Sequence, residues 1–94
     1  MRQYQFTLFI AGQSPRSQRA IANLKRIGQE RLGGDYELTV VDVQREPERA
    51  EEERILTTPT LVKLAPEPRR RVIGDLTNSE QVLIALSLLS DEDS

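Results

Sequence analysis

The sequence predicts an α/β fold with the element order β-α-β-α-β-β-α, and three observations carry this. An apolar run, an amphipathic helical pattern and a second apolar run follow one another over residues 3–43, which makes a βαβ unit. A proline-led apolar stretch and a short basic one then read as two strands within residues 57–73. A helix start signal opens a segment rich in Leu and Ile over residues 78–89.

Residues 3–10, QYQFTLFI, alternate at first and end apolar. Tyr4, Phe6, Leu8 and Ile10 share one face and Phe9 points the other way, so this strand is expected to be buried mainly on one side. Residues 15–32 place Ala20, Ile21, Leu24, Ile27 and Leu32 on one helical stripe. Ser14 suits the N-cap, because its hydroxyl accepts from an orphan backbone N–H. Pro15 fits the first helical position, where it forfeits no bond. Gly33 and Gly34 stop the helix, since glycine takes the left-handed conformation cheaply. Residues 36–43, YELTVVDV, form a second strand, with Leu38, Val40 and Asp42 on one face and Thr39, Val41 and Val43 on the other. A single helix between the two strands makes them parallel and the crossover right-handed.

Residues 44–54, QREPERAEEER, hold one apolar residue, Ala50. Pro47 can open a short helix here, but with no apolar stripe it buries almost nothing, and Ile55 and Leu56 are expected to anchor its end. Residues 57–64, TTPTLVKL, are the third strand, with Pro59 at its start, where proline is tolerated. Pro66 and Pro68 mark a loop, and residues 69–73, RRRVI, read as an edge strand blunted by charge. Thr77-Asn78-Ser79-Glu80 reads as a capping box for the last helix. The domain is expected to span residues 1–90, with a frayed, disordered acidic tail at 91–94, where carboxylates oppose the helix dipole.

Composition excludes much chemistry. The chain has 94 residues, with 13 Lys and Arg against 15 Asp and Glu, for a net charge of −2. That balance speaks against nucleic acid as a partner, which needs a concentrated basic surface. There is no cysteine and no histidine, so thiolate nucleophiles, disulfides, the commonest metal ligands and the usual neutral-pH base are all missing. No cofactor or metal is expected. No apolar run approaches a membrane span, and MRQYQF does not read as a signal peptide, so a cytoplasmic protein is expected.

The local motifs read as structural when taken alone. AGQSPRS lacks the second glycine and the lysine of a phosphate loop, and no base stands ready to activate a serine. Glu51, Glu52 and Glu53 are consecutive on a helix, point about 100° apart and do not converge. Of Arg69, Arg70 and Arg71, only two share a strand face, and edge protection is the expected role. Residues alone therefore stop at a small α/β binding module.

Two resemblances go further. TPTLVKL followed by RVIGDLT is similar to the C-terminal half of thioredoxins, and Ser14-Pro15-Arg16-Ser17 falls where that family keeps Cys-x-x-Cys. The likeness implies a cis Thr58–Pro59 bond. More closely, LFIAGQSPRSQRAIANLK, YELTVVDV, EPERAEEERILTTPTLVKLAPEP and VIGDLTNSEQVLIALSLL resemble the KaiB family of circadian-clock proteins over residues 4–89.

The KaiB resemblance implies a non-enzymatic adaptor. Such proteins bind the N-terminal ATPase ring of the KaiC hexamer, capture KaiA where the host has it, promote KaiC dephosphorylation, and compete with a SasA-type kinase. It implies KaiC contact through Arg54, Glu51, Glu52 and Arg19, and KaiA contact through Tyr36, Glu37, Leu38 and Thr39 on the second strand. It also implies a metamorphic chain: a thioredoxin-like monomer, or a tetramer whose C-terminal half is rearranged. Pro59, Ala85 and Ser87 are the positions implied in that switch. Where this chain reads LIALSLL, typical members read LIGLDLL. Alanine in a helix interior is better than glycine by about 0.5–1 kcal/mol, and losing a mid-helix Asp acts in the same direction, so the thioredoxin-like state is expected to be favoured. An isolated SasA-like thioredoxin-fold sensor module is the alternative. An enzyme fragment fits least.

Overall fold

A computed structural model describes residues 2–89. The elements are β1 (Tyr4–Ile10), α1 (Pro15–Arg31), β2 (Tyr36–Asp42), α2 (Pro47–Glu52), β3 (Thr60–Ala65), β4 (Arg70–Ile73) and α3 (Ser79–Ala85). The order is the predicted one. The acidic tail expected at 91–94 lies outside the described residues.

The strands form one mixed sheet in the order β2-β1-β3-β4. β2 lies parallel to β1, with Phe6 opposite Leu38, while β3 runs antiparallel to β1 and β4 antiparallel to β3. β2 and β4 are therefore the edges.

Each face of this sheet has its own apolar cluster. Phe6, Leu8 and Ile10 of β1 and Leu61 of β3 pack under Ala20, Leu24 and Ile27 of α1 and Val82 and Leu83 of α3. Among the described residues the apolar cluster of the opposite face is Phe9, Val41 and Val62, with Val43 and Ile55 against them. β1 was expected to bury mainly one side; as a central strand it buries both, and Thr7 is covered as well.

α1 forms as its caps direct. Ser14 Oγ accepts from the Ser17 backbone N–H at 3.1 Å, and Pro15 follows. Gly28 within α1 has a specific reason. A Cβ there would stand 2.3 Å from the Tyr36 ring, which seats β2 on the helix and lies 6.4 Å from the Phe6 ring, centre to centre. The Thr58–Pro59 bond is cis, as the thioredoxin likeness implies.

The last helix departs from expectation at both ends. Its N-cap is Asn78, whose Oδ1 accepts from the Gln81 N–H at 3.1 Å, whereas Thr77 turns its hydroxyl to Asp75. It stops at Ala85 rather than reaching residue 89. Leu88 N–H donates to the Leu83 carbonyl at 2.8 Å and Ser87 N–H to Ile84 at 3.0 Å, which is a Schellman stop. Ser87 holds the left-handed position of that stop at φ 60. The expected gain from replacing a mid-helix Asp thus does not apply at Ser87, which lies beyond the helix, and Ala85 is the final helical residue.

Lys63 was read only as part of a strand. It is fully buried, and its Nζ finds no hydrogen-bond partner among the described residues. Burial, reinforced by the positive charge of Arg70, pushes its amine below the ordinary lysine value.

Candidate docking site

The Ser14–Ser17 corner contains no unspent chemistry. Beyond its capping bond, Ser14 Oγ donates to Ser17 Oγ at 2.9 Å, and Ser17 is buried. Where thioredoxins place two sulfurs, this chain places two hydroxyls that satisfy each other and the helix N-terminus.

The neighbouring α2 corner is built differently. α2 buries no residue and its N-cap, Glu46, makes no side-chain cap bond. The helix ends in its own Schellman stop, with Ile55 N–H donating to Ala50 at 2.9 Å and Arg54 N–H to Glu51 at 3.0 Å. Arg54 takes the left-handed place at φ 54. That turn sends successive side chains opposite ways. Ile55 goes down onto the Phe9 cluster, and Leu56 stands 96% exposed. The expectation that both residues anchor the helix end is thus corrected: Ile55 does so and Leu56 does not.

Leu56 borders a cleft of about 540 Å³ lined by Val43, Pro47, Ala50, Ile55 and the flanking Glu51 and Arg54. The cleft is apolar at its base and charged at its rim, as a docking surface is. Of the residues expected to meet KaiC, Glu51 and Arg54 line it. Glu52 is exposed on the same helix. Arg19 sits apart, on the helix that packs the opposite face of the sheet, where its Nε pairs with Asp75 at 3.4 Å.

That pairing belongs to a latch. Asp75 accepts from Thr77 and Arg19, and its carbonyl accepts from Asn23 of α1 at 2.7 Å. The Thr77 hydrogen bond, opposed by burial and helped by Arg19, holds the Asp75 carboxyl below its ordinary value.

Tyr36, Glu37, Leu38 and Thr39 lie on β2, which is an edge strand. Tyr36 and Leu38 lean on the large core, while Glu37 and Thr39 alternate to the other face. Two of the three arginines do more than guard an edge. Arg69 and Arg71 converge on Glu53, at 2.7 and 3.7 Å. Strand alternation gave the shared face, but their common partner lies 16 or more residues away and left no local signal. Among the described residues no cluster of His, Cys, Asp or Glu suits a metal, and no helix is long and apolar enough to cross a membrane.

These features define a thioredoxin-like domain built without the redox pair and carrying an uncovered apolar cleft instead. The structural neighbours agree. The N-terminal domain of Synechococcus elongatus SasA superposes with a TM-score of 0.76 at 28% identity, covering 96% of this chain and 89% of that one. Mitochondrial thioredoxin 3 from Saccharomyces cerevisiae gives 0.72 at 19% identity, covering 95% and 81%, a likeness of fold alone. The chain belongs to the KaiB family, whose domain model matches residues 7–88. It is 51% identical over 84 residues to circadian clock protein KaiB3 of Synechocystis sp., covering 89% of this chain and 82% of that protein. It is also 51% identical over 89 residues to circadian clock oscillator protein KaiB of Prochlorococcus marinus subsp. pastoris, covering 95% and 83%.

Proposed function

We propose that this chain is a non-enzymatic clock adaptor that docks on the N-terminal ATPase ring of KaiC through the α2 face. One observation carries the reading: Leu56, 96% exposed, stands beside an apolar cleft rimmed by Arg54 and Glu51. A large side chain kept in water next to such a cleft is suited to a partner that covers both. Arg54 supplies the charge that orients the partner, with Glu51 and Glu52 beside it. Arg19 contributes from a separate patch. The β2 edge offers unpaired backbone groups for capture of KaiA in hosts that have it, flanked by Tyr36, Glu37, Leu38 and Thr39. The thioredoxin-like monomer is the working form, and Pro59, Ala85 and Ser87 sit in the half that rearranges in the tetrameric one. A SasA-type kinase domain of the same fold competes for the same ring.

The test is to mix the protein with KaiC fixed in a phosphomimetic state and measure the complex by size and stoichiometry. A stoichiometric complex that displaces SasA supports the adaptor reading. No complex, together with KaiC-independent binding to a sensor kinase, supports a SasA-like input module instead.

A further inference from the structure

We infer that Arg69 and Arg71 are positioning residues for the docking surface, holding residues 53–56 in the shape that presents Arg54 and Leu56. The inference rests on the docking reading above.

Arg71 reaches back from β4 to the end of α2. Its Nη2 donates to the Glu53 carbonyl at 2.8 Å and its Nη1 to the Arg54 carbonyl at 3.3 Å. Carbonyls at a helix C-terminus have no intrahelical partner and carry partial negative charge, which a guanidinium fork complements. The Glu53 carboxylate completes the clamp. Arg69 Nη2 holds Oε1 at 2.7 Å, and Arg71 Nη2 stands 3.7 Å from Oε2. Arg70, between them on β4, points to the other face and, among the described residues, bonds only the Arg69 carbonyl, at 3.0 Å.

Nothing within α2 supplies equivalent order. The helix has six residues, none of them buried, and its N-cap makes no side-chain bond. Arg54 occupies the left-handed region without being glycine, a conformation that persists where surrounding contacts impose it. The clamp is one such contact. Within the sheet β4 pairs with β3 alone, so the clamp exists only when that hairpin is made. Hairpin and docking loop therefore form together, and a chain without the hairpin lacks the clamp.

The experiment reads amide hydrogen exchange at Arg54 and Ile55 in the free protein and binding to phosphomimetic KaiC with the same samples. Arg71→Ala is expected to speed exchange at both amides and to weaken KaiC binding by about tenfold each, with α1 amides unchanged. Arg71→Lys, which keeps the charge without the fork, recovers part of both losses. Arg70→Ala changes neither. Unaltered exchange in Arg71→Ala, or an equal effect from Arg70→Ala, overturns the inference. If Arg71→Ala unfolds the hairpin, Arg71→Lys and Glu53→Gln decide: wild-type exchange in both overturns the clamp, and a rise in either supports it. A wild-type protein that does not bind KaiC overturns the docking reading, while the exchange data still decide the clamp.

Discussion

The two faces of the sheet differ in what they keep from water. Among the described residues, eleven buried ones form one cluster under α1 and α3. Under α2, three do, and the element above contributes none. One face thus has the area to hold the fold, at roughly 25 cal/mol per Å² of apolar surface removed from water. The other leaves a cleft and an uncovered leucine. The packing that holds the fold and the proposed α2 docking cleft lie on opposite sides of four strands, and substitutions should separate along the same line.

The largest effect belongs to the packed face. Leu24→Ala empties a fully buried position in α1 and is expected to cost about 2–5 kcal/mol in urea unfolding. Whatever protein remains folded should bind KaiC normally, and a selective loss of binding would break the division. Leu56→Ala is the converse. Its side chain is solvated in the free protein, so stability should move by less than about 0.5 kcal/mol. KaiC binding should weaken by about 2 kcal/mol, the loss typical of a central anchor. Ser14→Ala tests the corner where thioredoxins do chemistry. It removes the α1 cap, should cost about 1 kcal/mol in thermal unfolding, and should leave binding untouched.

The smallest effects are those of pH, and both titrating groups belong to the packed side. Asp75 has a lowered folded value, so its contribution is complete above the ordinary carboxylate range and disappears as pH falls through that lowered value. Asp75→Asn should flatten the acid limb of the stability curve. Lys63 also has a lowered folded value, and the slope has the same sign, though here rising pH removes the cost of a buried charge rather than adding a favourable one. Between that value and 10.5 the unfolded chain binds the extra proton, so stability rises with pH there. Lys63→Met should abolish this alkaline rise.

The sequence reading was sound where a signal repeats locally. Alternation in QYQFTLFI and YELTVVDV, the Ser14-Pro15 start and the paired glycines at 33 and 34 placed three elements to within a residue or so. It faltered where position depends on distant contacts. Thr77 and Asn78 are both good caps, and Asp75, tied to Arg19 and Asn23 of α1, draws Thr77 away. Leu56 looked like an anchor because apolar residues usually are; a single left-handed residue before it reversed its side. Arg54 and Glu51, named from the family resemblance, line the cleft, whereas the pairing of Arg69 and Arg71 with Glu53 joins segments whose proximity only the folded sheet creates.

Both short helices halt at a residue that resents its backbone angles, Arg54 at φ 54 and Ser87 at φ 60. Glycine would sit there more comfortably by about 1 kcal/mol. Instead the molecule carries tension at both ends of the stretch that runs from the cleft to the last turn, and again between them at Leu76, φ 66. That stretch is pre-stressed, and Leu61, Leu76, Val82, Leu83 and Leu86, seated in the large cluster, are what keep the stress in place.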